Sequence, residues 1–106
     1  MDKSTELIKF MQKNCFGKRN AMTSKKLSLK FGCTERSLRQ MILTCRQNGE
    51  PILSSVHEPF GFYLPENEAE GRECLNQFYS RIQEIYKTTR SIERGINQKF
   101  SAKLPL

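Results

Sequence analysis

The stretch LSLKFGCTERSLRQMI, residues 27–42, decides the fold. Leu27 and Phe31 recur at helical spacing, Gly32 interrupts the repeat, and the apolar positions resume at Leu38. A glycine at such a point commonly ends a helix, because it adopts a positive φ at little cost. We therefore predict two short helices joined by a tight turn. Apolar spacing alone leaves open whether both helices serve a core or also present an outer face to a partner.

Capping residues place the predicted helices more closely. Thr23 and Thr34 each precede a helical repeat, and their side chains can accept from backbone N–H groups of the first turn. A further helix near the amino terminus begins at Ser4 or Thr5, and FGKRN (16–20) follows it as a loop. The three predicted helices cover residues 4–14, 24–31 and 35–47.

After Asn48-Gly49 the pattern changes to two short β-favouring runs, PILSS (51–55) and GFYLP (61–65). They predict a small hairpin with His57 in its loop. A last helix is predicted from Asn67, with Glu70 as its capping-box partner, to about Phe100. The predicted fold is mainly α with a small β-hairpin and a long, coiled-coil-like C-terminal helix. We divide it into residues 1–66 and residues 67–106.

The long helix carries an apolar stripe with alternating spacings of three and four residues, which is a heptad pattern with one polar position. Its members are Leu75, Phe78, Ile82, Ile85, Thr89, Ile92 and Ile96. Tyr79, Tyr86 and Phe100 lie beside the stripe and widen it. A helix of roughly 30 residues is about 45 Å long, more than a domain of this size can cover. We predict a homodimer through the stripe, parallel or antiparallel, against the alternative that the helix packs on its own domain.

Positive charge is concentrated in the first half of the chain. The 106 residues carry a net charge of +7. Residues 1–49 hold eleven Lys/Arg and three Asp/Glu, a net +8, whereas residues 50–65 are net −2 and residues 66–106 net +1. A basic segment is attracted to polyanions through counterion release, although an ordinary solvated surface has the same composition.

The polar positions of the helix over 35–47 suit the DNA major groove, since Arg can pair with a guanine edge and Gln with an adenine edge. Glu35 can accept from cytosine or simply favour the helix start. Lys25 and Lys26 oppose the dipole of the preceding helix, which makes sense if a phosphate binds there. The candidate DNA-contacting residues are Lys18, Arg19, Lys25, Lys26, Thr34, Glu35, Arg36, Ser37, Arg39, Gln40, Arg46 and His57.

In the stretch 27–42, the inner faces of the two helices are Leu27, Phe31, Leu38 and Met41, and the small Ser28 lies where the helices cross. The turn is at Gly32, and Cys33 fills the corner. The stretch resembles the helix-turn-helix family. The hairpin extends this resemblance to the winged-helix subfamily over residues 4–65. The resemblance implies that the third helix enters a DNA groove and that the hairpin is a wing. Ser28 stands where alanine is usual, and the wing loop offers His57 alone as a cation. Small basic chains of this kind with a helical tail are similar to proteins of bacteriophages and mobile elements.

These observations favour a dimeric, sequence-specific double-stranded DNA-binding protein, a transcriptional regulator of the repressor type. The alternatives are a replication-origin-binding or initiation accessory protein, whose tail recruits a protein partner, and a winged-helix protein-interaction module without DNA binding. The sequence shows no carboxylate pair, no nucleophile beside a base and no glycine-rich phosphate loop. We expect neither enzymatic activity nor a cofactor.

Cysteine spacing argues against metal and disulfide. None of Cys15, Cys33, Cys45 and Cys74 forms a CxxC pair, and His57 is the single histidine. Three of the four fall on apolar faces or in turns, where we expect a thiol to act as a small hydrophobe. No apolar run of roughly 20 residues is present, and we expect no signal peptide. The expected location is the cytoplasm of a bacterial or phage-infected cell, at the nucleoid when bound to DNA, and no membrane association is expected.

Overall fold

The structure, a computed structural model, describes residues 3–101. Three helices are followed by a two-stranded antiparallel hairpin and a 34-residue helix, so the predicted mainly helical fold with a small hairpin and a long last helix is confirmed. A short 3-10 turn, Lys18–Asn20, lies in the segment predicted as a loop. The elements are α1 (Lys3–Asn14), α2 (Ser24–Phe31), α3 (Glu35–Gln47), β1 (Leu53–Ser55), β2 (Gly61–Tyr63) and α4 (Glu68–Ser101).

Local hydrogen bonds fix the ends of α2 and α3 as predicted. The Thr23 hydroxyl accepts from the Lys26 N–H at 3.2 Å, and the Thr34 hydroxyl accepts from the Ser37 N–H at 3.1 Å. Gly32 ends α2 in the left-handed region at φ 60°, where the Cβ of any other L-residue would add strain. The turn between the two helices is therefore encoded within residues 23–37.

The core of the first compact unit, which extends through Cys74, lies among α1, α2 and α3. Leu27 and Leu38 are fully buried, as predicted, but Phe31 and Met41 are only partly buried. The inner face of α3 is instead completed by Ile42 and Cys45. Each fully buried aliphatic side chain stabilises the fold by about 1.5–3 kcal/mol. The buried apolar cluster is Leu7, Met11, Cys15, Leu27, Leu38, Ile42, Cys45, Ile52 and Leu64.

The hairpin is held against the segment that follows α1. Beyond the β1–β2 register, Phe62 exchanges two backbone hydrogen bonds with Met22, at 2.7 and 3.0 Å. Gly61 has φ 127°, and a Cβ there would overlap the Met22 carbonyl and the Thr23 nitrogen. Glycine is therefore required where β2 begins, and this close approach sets the position of the hairpin relative to the start of α2.

The start of α4 differs from the predicted capping box. The Asn67 side chain accepts from the Glu70 N–H at 2.9 Å, as a cap should, but the Glu70 carboxylate accepts from Glu66 N–H at 3.0 Å rather than from Asn67. The first unit includes the first two turns of α4, so the predicted boundary after residue 66 falls inside it. The second unit begins at Leu75. Despite the length of α4, none of the helices within residues 3–101 is apolar enough to cross a membrane.

The cysteines behave as small hydrophobes, as predicted. Cys15, Cys45 and Cys74 are buried thiols, and Cys33 is half-buried in the turn after Gly32. Burial raises the pKa of the Cys15 thiol to about 11 from its ordinary value of 9.0.

Candidate nucleic-acid interface

The outer face of α3, which we define as Arg36, Gln40, Leu43 and Gln47, points away from the core. At roughly 100° per residue these four positions fall opposite Leu38, and all four are exposed. The Arg36 side chain makes no hydrogen bond or ion pair with any other residue of the described chain, 3–101, so its guanidinium is available to a ligand. The face presents one cation, two amides and one aliphatic group, with no carboxylate among them.

A side-chain network joins the beginnings of α2 and α3. The buried Ser24 hydroxyl donates to the Glu35 carboxylate at 2.8 Å and accepts from the Arg39 guanidinium at 3.2 Å. Glu35 is therefore engaged within the protein, which agrees better with its stabilising the helix start than with its contacting a base. Arg39 lies exposed at the flank of the outer face, held on one side by Ser24. The i,i+4 spacing predicts that Glu35 and Arg39 share a face, but it gives no sign of Ser24.

The remaining candidate positions near the start of α3, Thr34 and Ser37, are exposed. Thr34 uses its hydroxyl as the helix cap, so that atom is already accepting a hydrogen bond. Ser37 lies one helical turn further on, beside the outer face, and its hydroxyl remains at the surface.

Lys25 and Lys26 are both exposed in the first turn of α2. Lys26 lines an open cleft of about 490 Å³ that separates the start of α2 from the hairpin loop. The loop side of the cleft is formed by Glu58, Pro59 and Phe60. A cation, a carboxylate and an exposed aromatic ring therefore face the same space.

The hairpin tip has little positive charge. His57 is exposed. The Ser55 hydroxyl donates to the His57 carbonyl at 2.6 Å and accepts from the His57 N–H at 3.3 Å. Val56 and Phe60 are about half exposed. The tip thus offers apolar groups more than cations to any partner.

Lys18 and Arg19 are among the predicted DNA-contacting residues, but the structure pairs both with carboxylates. The Arg19 guanidinium donates to both oxygens of Glu66, at 3.1 and 3.0 Å, and the Lys18 ammonium lies 3.6 Å from a Glu73 oxygen. Exposed pairs of this kind contribute at most about 1 kcal/mol each. A phosphate at this position would compete with the two glutamates, which are 47 and 55 residues away in sequence.

Arg46 is not an exposed residue, which corrects its predicted placement. It is half-buried, its Nε donates to the Ile52 carbonyl at 2.8 Å, and its guanidinium lies 5.8 Å from the centre of the Phe62 ring. Burial lowers the pKa of the guanidinium from its ordinary value. The cause is helical geometry: Arg46 lies one turn after the buried Ile42, so its stem follows the core side of α3. Arg46 joins α3 to the hairpin.

The second unit is the part of α4 from Leu75 onward. Most of its apolar stripe is exposed, with Ile82 at 59%, Ile85 at 63% and Ile92 at 58% of their full accessibility, whereas Phe78 is half-buried. Thr89, the polar member, donates its hydroxyl to the Ile85 carbonyl at 2.8 Å and so is satisfied within the helix. A continuous exposed face of this kind is unusual for a protein surface and typically marks an interaction site.

Comparison with family models, with curated proteins and with solved structures finds no match. No group of three His, Cys, Asp or Glu side chains that could hold a metal ion occurs among the described residues.

Proposed function

We propose that this protein is a sequence-specific double-stranded DNA-binding protein of the winged helix-turn-helix type, which dimerises through α4 and regulates transcription by occupying its site. The outer face of α3 is the observation that carries the proposal. In this arrangement α3 enters the major groove and the hairpin is the wing.

The side chains of the outer face have the chemistry that major-groove edges require. Arg36 can donate two hydrogen bonds to guanine, Gln40 and Gln47 can each donate to and accept from adenine, and Leu43 can contact a thymine methyl group. The core residues of α3 lie on the opposite side, so base contacts do not disturb the packing. Hydrogen-bonding and apolar groups on one face, with the core residues on the other, support base reading more strongly than positive charge alone.

The start of α2 supplies the expected phosphate contact. Lys25 and Lys26 destabilise the helix slightly, because positive charge opposes the dipole at that end. A bound phosphate offsets this destabilisation. The contact positions the protein on DNA but carries no sequence information. The wing adds His57 at most, and its apolar tip favours contact with sugars or with a protein. The protein-interaction alternative therefore rests on the exposed Val56 and Phe60.

Two copies joined through the apolar stripe would present two α3 helices to half-sites related by a two-fold axis. Exclusion of polymerase from such a site is sufficient for repression. An origin-binding role would use the same contacts, with the long helix recruiting a further protein.

The test is fluorescence anisotropy of the full chain with labelled random duplex over a salt series, followed by selection of bound sequences from a random pool. We expect affinity that falls steeply with salt concentration and a defined selected site. Absence of binding at about 50 mM salt would refute the proposal.

Variants separate base reading from phosphate binding. Arg36→Ala and Gln40→Ala should each weaken binding to the selected site by about 1–3 kcal/mol, roughly 5- to 150-fold, with little effect on random duplex. Lys25→Ala should weaken both equally and reduce the salt slope by about 1. Gln12→Ala, at an exposed position of α1, is the matched control. Equal losses on both duplexes for Arg36→Ala would show that α3 does not read bases.

A further inference from the structure

The exposed apolar face of α4 is wider than the contact between two helices. In the heptad register that puts Ile82 at an a position, the a positions of the second unit also include Leu75, Thr89 and Ile96, and the d positions are Phe78, Ile85, Ile92 and, at the end of the stripe, Lys99. The e positions then include Tyr79, Tyr86 and Phe100, at 58%, 62% and 51% exposure. At roughly 100° per residue the combined face spans about 140° of the helix. We define these residues, except Lys99, as the wide face.

A face of this width is typical of a helix in a bundle. A two-stranded coiled coil buries the narrow a/d strip and leaves e positions at its rim, where charged residues are usual. Here three of the four e positions are aromatic, and Glu93 is the single carboxylate among them. Aromatic side chains bury large apolar areas in such contacts. Two copies would leave most of the three rings in water, whereas further copies would cover them.

The a and d residues point to the same conclusion. Isoleucine at both a and d shifts parallel coiled coils from dimers toward trimers and tetramers. Ile82 and Ile96 occupy a positions, and Ile85 and Ile92 occupy d positions. The g positions lack the charges that specify a pair of strands, since Arg81 is followed there by Thr88 and Gly95. No complementary pair of e and g charges selects a two-stranded form.

The opposite side of the same helix is polar throughout, so we expect it to face solvent. Its b, c and f positions from 80 to 98 are Ser80, Gln83, Glu84, Lys87, Arg90, Ser91, Arg94, Asn97 and Gln98. One wide apolar face and one polar face are the pattern of a helix that contributes to a single closed core.

We infer that α4 forms a four-helix bundle from four copies of this chain, so that the protein is a tetramer made of two DNA-reading dimers. Four copies, unlike three, arrange in pairs about two-fold axes, as a palindromic site requires. The functional consequence rests on the proposed function. A particle with four α3 helices binds two duplexes at once and bridges them, and a second site on the same DNA is bound at a raised effective concentration.

Native mass spectrometry and sedimentation of the full chain test the assembly without DNA. Four chains of 12.4 kDa give a particle of about 50 kDa. A combined Tyr79→Gln, Tyr86→Gln and Phe100→Gln variant should give particles of about 25 kDa (two chains of 12.4 kDa), because it keeps the a/d strip and removes the apolar e positions. Gln83→Ala and Ser91→Ala on the polar side are the controls and should leave the mass unchanged. A wild-type particle of two or three chains, or a monomer, would overturn the inference.

Bridging is measured with two random-sequence duplexes, one immobilised and one fluorescent. Wild-type protein should retain the fluorescent duplex, whereas the triple e-position variant should bind each duplex singly and retain at least tenfold less of the second. If the wild type is tetrameric but binds neither duplex, the DNA-binding proposal fails and the tetramer stands. If single duplexes bind but the tetramer does not bridge them, bridging is refuted.

Discussion

Replacement of Gly61 by alanine should be among the most damaging single-methyl changes in this fold. Its φ of 127° is unfavourable for an L-residue and costs about 1–3 kcal/mol. The added Cβ also overlaps Met22 and Thr23 backbone atoms, so the two hydrogen bonds between Met22 and Phe62 must lengthen or break. At about 0.5–1.5 kcal/mol for each bond, we expect a total loss of about 2–6 kcal/mol. For a unit of this size, with about 0.05–0.15 kcal/mol per residue, that is a large part of the stability.

Two other glycines in the chain provide matched controls for the same chemical change. Gly49 also has a positive φ, 93°, but nothing lies within 4 Å of its Cβ position, so Gly49→Ala should cost about 1–2 kcal/mol from backbone strain alone. Gly95 is helical and open, and Gly95→Ala should stabilise α4 by about 0.5–1 kcal/mol. Urea unfolding followed by circular dichroism gives the free energies, and hydrogen exchange of the Met22 and Phe62 amides locates the change. If Gly61→Ala costs no more than Gly49→Ala, the hairpin is not packed against residues 22–23 as described.

Three further predictions concern the core and α3. Leu38→Ala should cost about 2–5 kcal/mol of unfolding free energy, because Leu38 is fully buried, whereas Leu43→Ala on the outer face should cost below about 1 kcal/mol in the same urea titration. Arg46→Ala should lower stability by about 1–3 kcal/mol by leaving the Ile52 carbonyl without its donor. If the protein binds DNA as proposed, the folded variant should give the same anisotropy curve as the wild type. The unfolding free energy should fall as pH rises from about 9 to about 11, because the Cys15 thiol ionises in the unfolded chain before the folded one. Two pKa units correspond to a loss of up to about 2.7 kcal/mol. Cys15→Ala should reduce that slope, most of all below about pH 10, because burial also raises the pKa of Tyr63 to about 12 and Tyr63 contributes to the fall at higher pH. An unchanged slope below about pH 10 would mean that Cys15 does not cause it.

The local signals of the sequence predicted the helices, the hairpin and their order well, because the features they describe are themselves local. Thr23, Gly32 and Thr34 determine where helices begin and end through bonds to residues at most five positions away. The backbone pairing of Met22 with Phe62 was not predictable in this way, since a single bridged residue leaves no alternating pattern. The sequence feature that is related to this pairing is Gly61, where a side chain would overlap the Met22 backbone.

The candidate site was predictable on α3 and less so elsewhere. Helical periodicity is sufficient to place Arg36 and Gln40 outside and Leu38 inside. The same periodicity, applied to Arg46, would have shown that its stem lies beside Ile42. By contrast, the pairing of Arg19 with Glu66 depends on how distant segments pack, and no spacing rule reports that.

The thiols differ in their access to reagents. Cys15, Cys45 and Cys74 are buried, whereas Cys33 is half-buried in the turn directly before the cap of α3. A thiol-specific probe added to the folded protein should therefore attach first at Cys33, and no cysteine needs to be replaced beforehand. The natural chain thus has a labelling position at the edge of α3, from which a fluorophore or a spin label can test in real time whether a duplex approaches this helix.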